Sequence, residues 1–158
     1  MDDAKREPGS DFRIQTATWR DLINLHKLEK ACFERDAWPI WDILGVLSFP
    51  NIIRLKAEIG QEMVGFIGVD LRISQAHAWI VTFGVLPAYQ RQGIGTTLLE
   101  ACEKKVHLPK IKLSVRRSNK PALALYKDFG YQEVEVWPNY YQGKEDALVL
   151  EKTRAPGV

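Results

Sequence analysis

Residues 77–106, HAWIVTFGVLPAYQRQGIGTTLLEACEKKV, constrain the fold more than any other stretch of the chain. The first ten are mostly apolar, as in a central strand of a sheet covered by helices. Leu98, Leu99, Cys102 and Val106 then form the stripe of an amphipathic helix. Gly93 and Gly95 stand at the mouth of that helix. A residue without a Cβ can take positive φ and let a ligand approach the backbone. A helix start turns unpaired N–H groups outward, with partial positive charge behind them. The turn therefore reads as an anion site, with phosphate the usual anion. Taken alone, it equally fits an ordinary strand-to-helix turn.

Strand and helix signals continue on both sides. FRIQTA (12–17) alternates like a strand. Thr18 and Asp21 resemble a capping box ahead of a helix with Leu22, Leu25 and Leu28 on one face. After FERDAWPIWD, a loop broken by Pro39, a short helix runs through Leu44 and Leu47. IIRLKAEI and EMVGFIGVDL, separated by Gly60-Gln61, predict a hairpin. IKLSV (111–115) is a further strand, and Asn119 can cap a helix ending at Gly130. YQEVEV and DALVLEK are two final strands flanking the loop WPNYYQGKE. The order is strand, two helices, three strands, helix, strand, helix, two strands. This is one α/β (α+β) domain over residues 12–152, with 1–11 and 153–158 as flexible tails.

Twenty-two Lys and Arg against 20 Asp and Glu leave a net charge of +2, which argues against bulk nucleic-acid binding. No apolar run approaches membrane-spanning length, and the polar, acidic N-terminus is unlike a signal peptide. Cys32 and Cys102 have no metal-site spacing. A reducing cytoplasm is the expected compartment.

Two nucleotide-binding readings of the glycine turn fail on residue type. A dinucleotide fingerprint needs a third glycine where Leu98 stands, and a P-loop needs a Gly-Lys-Ser/Thr that is absent. VLPAYQRQGIGTTLL instead resembles the acetyl-CoA-binding motif of the GNAT superfamily of N-acetyltransferases, with Gln90, Gly93 and Gly95 in its positions. LSVRRSNKPALALYKDFGYQ is similar to the second motif of that superfamily, and NYYQGKEDALVL to the branch acting on ribosomal-protein alanine and protein N-termini. The resemblance covers about residues 12 to 152. It implies a mixed, mostly antiparallel seven-stranded sheet flanked by about four helices and splayed between the fourth and fifth strands. Phe83, Gly84 and Val85 would then pair with the pantetheine arm of acetyl-CoA like an added strand, Gly84 suiting a bulged segment. Arg91, Gln92, Gly93, Ile94, Gly95 and Thr96 would cradle the pyrophosphate, with Asn119 touching the cofactor and the basic run 116–120 near its 3′-phosphate.

By the same resemblance, Tyr126 is the general acid for the leaving thiolate. The residue that orders the base water in relatives is replaced by Ser114, and a serine at its normal pKa is no base. Glu34 takes that role as an expectation, since some relatives carry an acid in the loop between the first two helices. Trp38, Trp41, Tyr140 and Tyr141 would line the approach of the acceptor. An α-amine of pKa near 8 is neutralised at pH 7 for about 1.4 kcal/mol, whereas a lysine near 10.4 needs roughly 4.6. A site with a weakened base is better matched to the α-amine. The expected acceptor is a protein or peptide N-terminus. Alternatives are a small-molecule amine such as a polyamine or antibiotic, or a non-catalytic acyl-CoA-binding module. No metal, nucleic-acid or membrane partner is expected.

Overall fold

A computed structural model describes residues 11–155. Seven strands and four helices alternate along the chain: β1 (Arg13–Thr16), α1 (Leu22–Phe33), α2 (Ile40–Ser48), β2 (Ile52–Ile59), β3 (Glu62–Arg72), β4 (His77–Val85), α3 (Ile94–Lys105), β5 (Lys110–Arg116), α4 (Lys120–Asp128), β6 (Gln132–Tyr141) and β7 (Glu145–Thr153). The sheet order is β1-β2-β3-β4-β5-β7-β6, antiparallel throughout except for the β4–β5 pair. The predicted element order holds.

Local chemistry accounts for the element ends. Thr18 and Asp21 form the reciprocal capping box, closing a 3₁₀ turn before α1. Asn119 Oδ1 accepts from the Ala122 N–H at 3.3 Å at the start of α4. Gly130, at φ 91°, ends α4 in the left-handed conformation. Two apolar clusters lie on opposite faces of the sheet. Leu25, Leu28, Ile43, Val46 and Leu47 of α1 and α2 pack with Met63 and Phe66. On the other face Ile94, Leu98, Leu99 and Cys102 of α3, with Tyr126 of α4, cover β2–β5 and β7.

The feature that positions the site is the parting of β4 from β5. They pair only at His77–Trp79 with Lys110–Lys112, and beyond that the parallel ladder stops. The opening is aided by a bulge, because Gly68 faces Thr82 while Val69 faces Ile80, leaving Val81 as the extra residue.

Two expectations need correction. The bulge is at Val81 and not at Gly84, which stays in register with Phe66. A Cβ on Gly84 would lie 3.1 Å from Cys32 Sγ, so its small size lets α1 approach β4. β6 continues through the expected loop to Tyr141, carrying Pro138 on the sheet edge with a register irregularity between Trp137 and Tyr141, where proline is tolerated. The expected tails lie mostly outside the described residues. At the C-terminal boundary β7 reaches Thr153, and the Arg154 N–H donates to Pro109 O at 2.7 Å. Among the described residues no helix is long and apolar enough to cross a membrane.

Candidate active site

Two cavities open where β4 and β5 part. One, of about 420 Å³, is lined by Phe83, Gly84, Val85, Gln90, Arg91, Gly93, Gly95 and Thr96 together with α4 residues including Leu125 and Tyr126. The other, of about 370 Å³, is lined by Trp38, Trp79, Thr82, Ser114, Tyr140 and Tyr141, with Asp36 and Arg116 at its rim. Phe33, Phe83, Asn119, Ala122 and Tyr126 border both. The two spaces therefore meet at one phenol.

The first cavity is shaped by the turn into α3. Positive φ falls at Arg91 (61°) and Gly93 (84°), whereas Gly95 is already helical. Successive peptides turned in this way direct N–H groups into a concavity, an arrangement that binds anions. A Cβ on Gly93 would meet nothing within 4 Å, so the space over it is open. No side chain caps α3, and its first-turn N–H groups are left to face that space. The Gln90 side-chain amide donates to the Val85 carbonyl at 3.0 Å and ties the turn to the end of β4. Two expected members of the cradle are absent from the lining. Ile94 is 1% exposed and packs in the core, and Gln92 borders neither cavity.

Tyr126 is buried, its ring 6.1 Å from that of Phe83 and 5.5 Å from that of Tyr131. Its hydroxyl makes no hydrogen bond among the described residues. Burial, reinforced by Tyr141 and Cys102, raises its pKa above the ordinary phenol value, so it is protonated throughout the neutral range. Such a group can give a proton to an anion that forms beside it.

The second cavity is aromatic. Trp79 of β4 stacks on Trp137 of β6 with centroids 5.8 Å apart, and Tyr140 continues the series at 5.0 Å from Trp137 and from Tyr141. Tyr141 donates to Ser114 Oγ at 3.2 Å, so the serine is held by a phenol. Arg116 binds Asp36 at 2.6 Å, Glu145 at 2.7 Å and the Gln142 carbonyl at 3.1 Å, joining the turn after α1 to β5 and the β6–β7 turn.

Trp38, Tyr140 and Tyr141 line this cavity as expected from their positions in sequence, but Trp41 is 78% exposed and lines neither. Glu34 is also brought to neither cavity. It is exposed, at φ 43°, in the 3₁₀ turn after α1, and its neighbour Asp36 faces inward instead. Arg116 turns toward the aromatic side, away from the phosphate turn, which removes it from the basic run expected there. Thr82, Trp79, Arg72 and Asp36 were not singled out from sequence. Thr82 and Trp79 were hidden inside a run whose apolar character dominated the reading.

The residues 18–131 match the model of the acetyltransferase (GNAT) family. An N-alpha-acetyltransferase of Sulfurisphaera tokodaii is 30% identical over 166 aligned positions, covering 95% of this chain and 98% of that protein. The crystal structure of the ribosomal-protein-S18-alanine N-acetyltransferase from Escherichia coli superposes with a TM-score of 0.82 at 26% identity, covering 92% of this chain and 97% of that one. Arabidopsis thaliana NAA60 in complex with acetyl-CoA shares the fold at TM-score 0.77 and 19% identity, over 90% of this chain and 98% of that one. Fold, motifs and the family match over most of the chain agree: this protein belongs to the acetyltransferase (GNAT) family.

Proposed function

We propose that this chain transfers the acetyl group of acetyl-CoA to the α-amine of a protein or peptide N-terminus, in the cytoplasm. The observation that carries this reading is the pair of cavities meeting at Tyr126. The first suits the donor. The Arg91–Thr96 turn would hold the pyrophosphate on backbone N–H groups, and the parted edge of β4 at Phe83–Val85 would take the pantetheine arm. Asn119 and Ala122 would flank the thioester end. The donor supplies an activated acetyl group, and the chain orients it and keeps a phenol proton ready at the position of the departing sulfur. The second cavity suits the acceptor. Trp38, Trp79, Tyr140 and Tyr141 offer π faces to an ammonium and apolar walls to the first side chain. The free thiols Cys32 and Cys102 suit a reducing compartment.

The test is free-thiol release from acetyl-CoA with a panel of amines. Peptides with free N-termini turn over faster than matched peptides that are N-terminally blocked and carry lysine, and faster than polyamines. Acetyl-CoA also raises the thermal midpoint, and a folded Gly93→Val loses that rise, because its side chain fills the open space and resists positive φ. Turnover of polyamines alone would assign a small-amine substrate, and binding without turnover a non-catalytic module.

A further inference from the structure

Three acidic side chains are buried among the described residues: Asp21, Glu29 and Glu103. Asp21 pairs with Lys56 at 2.9 Å, and Glu103 with Lys152. Glu29, only 1% exposed, has no cation. An uncompensated buried carboxylate is costly, and it persists where the surroundings hold it for a reason. Glu29 projects from α1 onto β4, where the Thr82 hydroxyl donates to its Oε1. Its Oε2 is buried with no hydrogen-bond partner. Thr82 lines the acceptor cavity one residue past the Val81 bulge, so a single hydroxyl separates that carboxyl from the space where an amine would arrive.

Resting on the N-terminal reading above, we infer that Glu29 accepts the proton of the incoming ammonium through the Thr82 hydroxyl. The ammonium gives one proton to Thr82 Oγ1 as Thr82 passes its own to Glu29 Oε1, leaving a neutral amine. The amine nitrogen forms its bond to the acetyl carbon and the carbon–sulfur bond breaks. Tyr126 protonates the leaving sulfur, and the second excess proton on nitrogen restores the phenol. The proton on Glu29 returns to solvent with product release, so the net products are the acetamide, the free thiol and one proton.

The surroundings fit this task. Burial raises the Glu29 pKa, while the Thr82 hydrogen bond pulls it partly back. A raised carboxyl is a closer match to an α-ammonium near pKa 8 than an ordinary one. Cys32, one turn along α1, is pushed up to about 12 by burial and by Glu29, and stays neutral. Ile43, Val46 and Leu47 of α2 and Phe66 of β3 bring no charge to the cluster. The charges at the ends of α1 are the Asp21–Lys56 pair at one end, and Glu34, Arg35 and the Arg116-bound Asp36 at the other.

The test is the pH profile of kcat/KM from pH 6 to 9.5 for a peptide with a free N-terminus. Glu29→Gln should lower kcat/KM about 30-fold at pH 7, the loss shrinking about tenfold, to about threefold, at pH 9.5, where the amine is neutral unaided. Acetyl-CoA Kd should change less than about twofold. Thr82→Val should reproduce the loss, Thr82→Ser should keep the wild-type profile, and the Glu29→Gln/Thr82→Val pair should lose no more than either change alone. If Glu29→Gln fails to fold, Thr82→Val against Thr82→Ser carries the test. A Glu29→Gln or Thr82→Val profile parallel to that of an active wild type overturns the relay alone, as does an acid-limb loss found in Glu34→Gln instead. A wild type that binds acetyl-CoA yet acetylates no free N-terminus overturns the substrate reading and the relay together.

Discussion

A phenol that serves as a general acid must keep its proton until a thiolate forms beside it. Tyr126, the acid proposed above, would keep its proton because desolvation penalises the phenolate, and because Tyr141 and Cys102 add to that penalty. Its hydroxyl is committed to no other partner among the described residues. Tyr126→Phe removes this one oxygen and leaves the ring contacts with Phe83 and Tyr131. The expected result is a fall in kcat of about 10²-fold with little change in acetyl-CoA affinity. Single-turnover kinetics beside steady-state rates check it, since slow product release would mask a chemical defect. An unchanged single-turnover rate would remove Tyr126 from the chemistry.

At the scale of elements, the aromatic cavity proposed for the acceptor depends on Arg116 at the end of β5, which grips the turn after α1, the β6–β7 turn and β7. The far end of this clasp is Glu145, whose carboxyl is held down at about 2, by Ser118 first and Arg116 next. A carboxylate with a lowered pKa stabilises the native state fully above its ordinary value of 4.5 and loses that contribution as pH falls toward 2. Wild-type thermal midpoints should therefore drop between pH 4.5 and 2, and Glu145→Gln should flatten that part of the curve. A slope unchanged by the substitution would mean the clasp adds no stability.

The glycine turn and the Asn119 cap were legible because each depends on residues close in the chain, at turn or helical spacing, whereas Tyr126 was pointed to only by the family resemblance. The aromatic wall was legible only in part. Tyr140 and Tyr141 stood out, but the Trp79–Trp137 stack joins strands 58 residues apart and depends on β6 running past Pro138. Glu34 was favoured as an acid in the right loop, yet a 3₁₀ turn rotates it outward and Asp36 inward. Glu29 did leave a trace. It follows Leu25 and Leu28 on the buried stripe of α1, and an acid at a core position is itself a signal.

In the whole molecule, α1 and α2 cover one face of the sheet and α3 and α4 the other, so the opening between β4 and β5 connects the two sides. The donor would enter over α3 and α4, and the acceptor past the turn after α1 and the β6–β7 hairpin. The proposed acceptor side serves an α-amine with modest help from a base. A direct measurement is the position of the acetyl group on one short peptide carrying both a free N-terminus and an internal lysine, read by fragment masses at early turnover and pH 7. The two amines differ by about 2.4 pKa units, so acetyl on the α-nitrogen should exceed acetyl on the lysine Nζ by about 10²-fold. Equal labelling, or labelling of lysine first, would contradict the account.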